Sequence, residues 1–267
     1  RQVLQKRLTT INWCELKNIY YNFCGIPKNK QSIMIGNAYK NGGEKMEREI
    51  ALEVWGDFAC FCPSYAKVER LTSPVPTPSA ARGIFSAIYS KPVEFYWQIT
   101  RIEVLNPIRY ISFKRNEVKS TVNVKSKVED SILYTDEDRT QRMTQALRDV
   151  RYRIVAVIKP QPTYTGTIEQ LYSQALRRIR SGKTFYQPSL GLREFVCYFE
   201  ESDLTRKPIE DSSDLGLMLY DVFDLHDYIV HKKTQPKVSL YHAVMEHGVI
   251  QVPPYDSDEV LKGGSLC

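Results

Sequence analysis

Residues Phe95-Tyr-Trp-Gln-Ile-Thr-Arg-Ile-Glu-Val-Leu-Asn-Pro-Ile-Arg-Tyr-Ile-Ser-Phe113 spell two strands around a turn. Phe95, Trp97 and Ile99 alternate with Tyr96 and Gln98, and Ile102 and Val104 resume the alternation on the other parity. The pattern predicts one long strand with a register change near Thr100. Asn106-Pro107 marks a turn, and Ile108 to Phe113 reads as the returning strand. Upstream, Ile50, Leu52 and Val54 alternate with Ala51 and Glu53 and predict a strand over Ile50–Trp55. A turn-rich stretch with Pro74, Pro76 and Pro78 precedes a helix opening at Ser79-Ala80-Ala81-Arg82. Ser79 is its expected N-cap, Ile84, Phe85 and Ile88 its apolar face, and Pro92 its stop. Downstream, Thr135-Asp136-Glu137-Asp138 resembles a capping box, and Met143, Ala146, Leu147 and Val150 recur at helical spacing. Val150–Ile158, rich in β-branched residues, then predicts a strand.

The resulting order, β-α-β-β-α-β over about residues 46–160, is that of an α+β, ferredoxin-like domain. A further helix is predicted over about 168–181. Ile168, Leu171, Tyr172, Ala175, Leu176 and Ile179 form its apolar stripe, with Arg177, Arg178 and Arg180 largely on the other side. Thr167-x-x-Gln170 reads as its capping box and Gly182 as its C-cap. From about residue 195 short apolar runs are broken by acidic turns, ending in a strand over Gly248–Val252 before Pro253-Pro254. This tail predicts a small antiparallel β-sheet domain. The expected organisation is therefore 1–45, 46–194 and 195–267.

Composition limits the function classes. The chain has 267 residues, 42% hydrophobic and 25% charged, which is the profile of a folded globular protein. No uncharged apolar run approaches the roughly 18 residues of a membrane span. Arg1, Lys6 and Arg7 are followed by no apolar stretch, so no signal peptide is expected. Six cysteines (14, 24, 60, 62, 197, 267) include one Cys60-x-Cys62 pair and no CxxC, pointing to reduced thiols in a cytoplasmic protein. The formal net charge is +6, and it is unevenly placed. Residues 1–45 hold 8 Lys/Arg against 2 Asp/Glu, residues 101–200 hold 18 against 11, and residues 201–267 hold 6 against 12. A basic middle beside an acidic tail suits a polyanion-binding face, and equally a solvated basic surface. Asn41-Gly42-Gly43-Glu44-Lys45 before Met46 is what a purine-rich ribosome-binding site yields when translated in frame. Residues 1–45 thus read as sequence upstream of a start at Met46, or else as a basic arm that contacts RNA.

The motif inventory is mostly negative. There is no P-loop, GxGxxG, GxSxG or HExxH. The four histidines (226, 231, 242, 247) all fall late, at spacings that predict no metal site. Seventeen tyrosines interleaved with arginines suit base stacking and phosphate contact, as well as ordinary core packing.

One string is distinctive: Val75-Pro-Thr-Pro-Ser-Ala-Ala-Arg-Gly-Ile84 followed by Ala87-Ile-Tyr-Ser-Lys-Pro92. It resembles the Cas-five family of CRISPR-associated proteins, subtype d, of type I-C systems. Further strings agree in order: Val54-Trp-Gly-Asp57, Lys67-Val-Glu-Arg70, Arg101 to Arg109, Lys114 to Val118, Phe185-Tyr-Gln-Pro-Ser-Leu-Gly-Leu-Arg-Glu-Phe195, and Ala243 to Pro253. The resemblance covers about Met46 to Pro253 and leaves residues 1–45 untouched. It implies a ferredoxin-like, RAMP-type domain followed by a small β-sheet domain. It implies a metal-independent endoribonuclease, with no cofactor, that cuts precursor CRISPR RNA in each repeat for antiviral defence. The protein would then hold the 5′ handle of the crRNA among the other type I-C Cascade subunits.

In such chemistry a ribose 2′-hydroxyl attacks the neighbouring phosphate, leaving a 2′,3′-cyclic phosphate and a 5′-hydroxyl. The family's catalytic set is a tyrosine in the I-Y-x-K-P string, matched by Tyr89, and an adjacent Lys-His pair. That pair does not carry over: the corresponding positions, counted back from Gly182, hold Gln170 and Leu171. Lys159 or Lys183 could supply a cation, and Tyr164 or Tyr172 a weak acid. Arg82, Lys91, Arg109, Arg115, Arg177, Arg178, Lys183 and Arg193 are the expected phosphate contacts. The missing pair leaves a second reading open, a non-catalytic handle-binding subunit served by another nuclease. An unrelated ferredoxin-like binding module would require the ordered strings to be coincidence.

Overall fold

The structure, a computed structural model, describes residues 48–63, 69–120, 137–227 and 237–263. The expectations for residues 1–45, for Lys67 and Val68, for Thr135 and Asp136 and for His231 lie outside them. In chain order the elements are β1 (Glu49–Ala59), β2 (Arg70–Leu71), α1 (Pro78–Ile88), β3 (Phe95–Val104), β4 (Tyr110–Val118) and β5 (Arg139–Pro160). They continue as α2 (Ile168–Ser181), β6 (Tyr198–Glu201), β7 (Ser213–Asp221), β8 (Ser239–Glu246), β9 (Val249–Gln251) and β10 (Leu261–Lys262). Among the described residues the architecture is mostly one antiparallel sheet with two helices. Its strands run β10-β8-β9-β3-β5-β1-β6, with β2 and β4 also on β5, and β7 on β8.

The alternation read from Phe95 onward holds. β3 pairs with β5 from Phe95↔Pro160 to Val104↔Tyr152, and its register shifts between Ile99 and Arg101. Such a bulge lets Ile99 and Ile102, an odd number of residues apart, both reach the core. The helix at 168–181 also holds. Leu171, Tyr172, Ala175 and Ile179 are its buried residues, and Gly182 closes it in the left-handed conformation, φ 64°.

Three expectations are corrected. The helix predicted from 135 to 150 is instead the first half of β5, paired with β4 from Tyr110↔Leu147 to Val118↔Arg139. Successive strand residues face opposite sides, yet Thr144, Ala146 and Leu147 are all buried. Burial switches faces at the adjacent Ala146 and Leu147, and with Met143, which is 39% exposed, that local break in alternation imitates helical spacing. Caps differ too. Thr77, not Ser79, caps α1, its Oγ1 accepting from Ala80 N–H at 3.2 Å, because Pro78 takes the first helical position. Thr167 is the N-cap of α2 but makes no side-chain capping bond. Finally, the tail expected as a separate unit from 195 joins the sheet. β6 lies on β1, β9 lies on β3 at Arg101, Ile102 and Glu103, and Arg48–Cys267 is one compact unit.

Both helices pack against the sheet through a common apolar core that includes Leu52, Val54, Phe85, Trp97, Ile154 and Leu171. A charged row crosses three adjacent strands, Glu53↔Arg153 and Arg153↔Glu103. Arg153 donates to Glu103, 2.5 Å, to Ser202 Oγ, 2.7 Å, and to Arg206 O, 2.7 Å. Those bonds tie the 202–206 segment to the sheet. No helix among the described residues is long and apolar enough to cross a membrane.

Candidate functional site

Tyr89 follows the last turn of α1 as its C-cap, φ −148°, with its N–H on Phe85 O at 2.9 Å. Its carbonyl accepts from Trp97 Nε1 at 2.7 Å, and its ring lies 5.1 Å from that of Phe95. These contacts from β3 fix the residue and bury it to 1% exposure. The hydroxyl reaches α2, where it donates to Gln174 Oε1 at 3.1 Å. Burial raises the phenol above its ordinary value of 10, with Lys91 and Arg178 pulling it back and Glu94 and Tyr164 pushing it up. Tyr89 therefore keeps its proton at neutral pH, a donor and not a base.

The surrounding charges come from three elements. Lys91, after α1, pairs with Glu94 at 2.9 and 3.0 Å, and that bond raises its pKa. Arg178 of α2 donates from Nε to Ile88 O at 2.6 Å, and its guanidinium lies over the Phe185 ring, 4.2 Å from the centroid. Phe185 N–H in turn donates to Ala87 O at 2.7 Å. Of the open carbonyls that end α1, Ile88 O is thus taken by α2 and Ala87 O by the strip following it. Lys183 and Arg177 are exposed on that strip and on α2. Tyr164 donates to Thr167 O at 3.1 Å, and the buried Tyr172 accepts from Ile158 N–H at 3.0 Å. The structure so brings Lys91 and Arg178 to Tyr89 at the junction of α1 and α2, while Arg177 and Lys183 are exposed nearby in the chain.

The other expected contacts sit elsewhere. Arg82 is held by Asp221 of β7 through two bonds, 2.5 and 2.9 Å, and Asp221 is 1% exposed. Arg115 pairs with Glu194 at 2.5 Å, its Nε buried without a partner, and Arg193 is exposed beside that carboxylate. Arg109 lies 3.9 Å from Asp149 on a largely exposed stem. Arg115 and Arg193 thus stand together by Glu194, and Arg109 stands apart, just before β4. Lys159 lies on β5 opposite Tyr96. Gln170 is exposed in the first turn of α2 and Leu171 is buried in the core, so neither replaces the missing Lys-His pair.

Sequence reasoning missed Gln174 and Phe185. Gln174 and Arg178 stand three and seven residues after Leu171, polar groups set at the spacing of an apolar stripe, and that was the available signal. Phe185 carried no local signal, since only the fold shows that its ring stays at the surface, 57% exposed. Among the described residues no cluster of three or more His, Cys, Asp or Glu could hold a metal ion.

Residues 49–253 match the family described as CRISPR-associated protein (Cas_Cas5), of the Cas5d type. The "CRISPR pre-crRNA endoribonuclease Cas5d" of Mannheimia succiniciproducens is 37% identical over 235 residues, covering 81% of this chain and 100% of that protein. The Thermus thermophilus protein of the same name is 36% identical over 178 residues, 67% of this chain and 75% of its own. A crystal structure of a CRISPR-associated protein covers 80% of this chain and 96% of its own, with TM-score 0.56 and 22% identity. The SMU1763c protein of Streptococcus mutans, functionally uncharacterized, covers 80% and 97%, with TM-score 0.55 and 22% identity. With a family match over most of its length and a relative matched from end to end, the chain belongs to the Cas5d family of CRISPR-associated proteins.

Proposed function

We propose that this chain is a pre-crRNA endoribonuclease of a type I-C CRISPR system. It binds repeat RNA, cuts it without a metal by 2′-hydroxyl attack and retains the 5′ handle within Cascade. The observation that carries the reading is the position of Tyr89. Its protonated hydroxyl lies between α1 and α2, bonded to Gln174 and within the field of Lys91 and Arg178, in a chain that aligns over 81% of its length with a whole Cas5d endoribonuclease. The ferredoxin-like, RAMP-type reading is supported by four strands ordered β3-β5-β1-β6, with α1 between β1 and β3 and α2 between β5 and β6.

In the reaction the 2′-oxygen loses its proton and bonds to phosphorus while the bond to the 5′-oxygen breaks. Tyr89 supplies a hydrogen bond to the phosphate or a proton to the departing 5′-oxygen. Lys91 and Arg178 offset the negative charge that builds on the phosphate. Arg177, Lys183, Arg193, Arg109 and Arg115 give the sequence-independent grip on the backbone.

A second reading, a subunit that holds the handle without cutting, is favoured by Gln170 and Leu171 standing where the Lys-His pair is expected. Incubating the full chain with its cognate repeat RNA in excess EDTA, beside Tyr89→Phe, separates the two. One cut, slowed in Tyr89→Phe, supports the nuclease. Tight binding with no cut supports the holder, and neither binding nor cutting removes both.

A further inference from the structure

We infer that Phe185, seated on Arg178, is a stacking platform for one unpaired nucleobase next to the phosphate at Tyr89. The inference rests on the RNA-binding reading and adds to it a base subsite. Phe185 and Tyr186, consecutive in sequence, are 57% and 60% exposed. An exposed phenyl ring normally gains nothing by being held still, yet this one is fastened twice. Its backbone N–H bonds to Ala87 O at 2.7 Å, and its ring lies over the Arg178 guanidinium at 4.2 Å. Arg178 is itself fixed by its 2.6 Å bond to Ile88 O. The cation covers one face of the ring and draws electron density from it, which suits the open face to stacking on a base.

Position supplies the second argument. The Tyr89 hydroxyl bonds Gln174 of α2, one turn before Arg178, so the hydroxyl and the cation under the platform meet the same face of α2. Exposed Arg177, next to Arg178, and exposed Lys183, two residues before Phe185, add in the same stretch of chain the charge that a phosphate backbone needs. A ring, a cation and a backbone-binding flank at one place are what single-stranded nucleic acid requires, and the ring's sequence tolerance is corrected only by its fixed location. Stacking there holds a nucleotide in register with the phosphate beside Tyr89, so the platform sets which linkage is presented.

The test uses the full chain and a series of repeat RNAs, each with 2-aminopurine at a single position. Binding by the unaltered chain is measured first. The expected result is fluorescence quenching at one position adjoining the cut or protected linkage. Phe185→Leu, which keeps an apolar side chain on Arg178, loses that quenching and binds about 5- to 150-fold more weakly, the loss of one base stack. Phe185→Trp retains both. Equal melting temperatures for the variants place the loss in binding and not in folding. Quenching unchanged in Phe185→Leu, or quenching at no position despite tight binding, overturns the platform alone. Failure of the unaltered chain to bind any repeat RNA overturns the RNA reading beneath it.

Discussion

Arg82 is the residue on which the sequence and the structure disagree most usefully, and replacing it by alanine tells the two readings apart. As a phosphate contact it should weaken RNA binding and leave the fold alone. In the structure it instead neutralises Asp221, which is 1% exposed and receives 2.5 and 2.9 Å bonds from the guanidinium. Removing one partner of a buried pair costs about 3–5 kcal/mol, because the other charge is left in a poor solvent. Two features reduce this. Arg82 keeps 21% of its side chain exposed, and Asp221 Oδ1 also accepts from the N–H groups of Val222 and Phe223, 2.7 and 3.0 Å. A loss of about 2–4 kcal/mol is expected after that discount. For a folded unit of this size that is a fall in Tm of about 4–16 °C. The assay is thermal unfolding by circular dichroism, with RNA binding measured against salt on the same samples. A lost phosphate contact lowers the slope of log affinity against log salt by about 0.7, whereas a lost internal clamp leaves it as it was. Arg82→Met with Asp221→Asn recovers most of the stability, since the carboxylate charge goes with its partner. An unchanged Tm together with a shallower salt slope refutes the clamp.

Two further outcomes follow from the same contacts. Gln174→Met removes the acceptor of the Tyr89 hydroxyl and is expected to slow cleavage about tenfold, with RNA affinity unchanged and about 1–3 kcal/mol lost in urea unfolding for the unsatisfied buried group; an unchanged single-turnover rate contradicts a positioning role. Burial pushes the Cys60 and Cys197 thiols up to about 12, helped at Cys60 by Cys62, whose sulfur lies 3.3 Å away. Both should resist iodoacetamide near pH 8 in the folded chain and react once it is unfolded, as read by peptide mass spectrometry; rapid labelling of either in the folded chain contradicts the burial.

How far the sequence could be read depended on whether an element's partners were local. The β3 bulge announced itself as a change of parity around Thr100, because a strand buried on the helix side must keep apolar groups on that side. The α2 stripe was equally plain, since a single helix face meets a single core. The first half of β5 was not, because its buried residues change faces between Ala146 and Leu147 and its true partner, β4, lies across residues 119–138. The union of the tail with the sheet depends on β9 meeting β3 well over a hundred residues away, and no local period records that. At the site, Tyr89 was found through the resemblance and holds its place by packing. The Arg82 ion pair was not legible, because a charge in a basic segment says nothing about an acid 139 positions later. Phe185 failed for the converse reason, an apolar residue that the fold keeps at the surface.

The protonation of Tyr89 leads to the last prediction, the pH dependence of cleavage. Desolvation raises its phenol above 10, so the neutral form is the one present across roughly pH 6 to 9. A group that keeps its proton throughout cannot take one from the 2′-hydroxyl, and the sequence holds no histidine before His226 to do so. Hydroxide is then the expected base for the 2′-hydroxyl, and the single-turnover rate should climb about tenfold per pH unit across this window. Raising the pH does not disable Tyr89 in that range, because a raised phenol loses its proton only above its ordinary value. Tyr89→Phe should lie below the unaltered chain at every pH while keeping the same slope, since it removes a donor and not a base. A rate that levels off near pH 7 would contradict this, pointing to a base that titrates there. A rate flat over the whole range would point to a carboxylate already ionised, and Glu94, whose charge Tyr89 feels, would be the group to replace first.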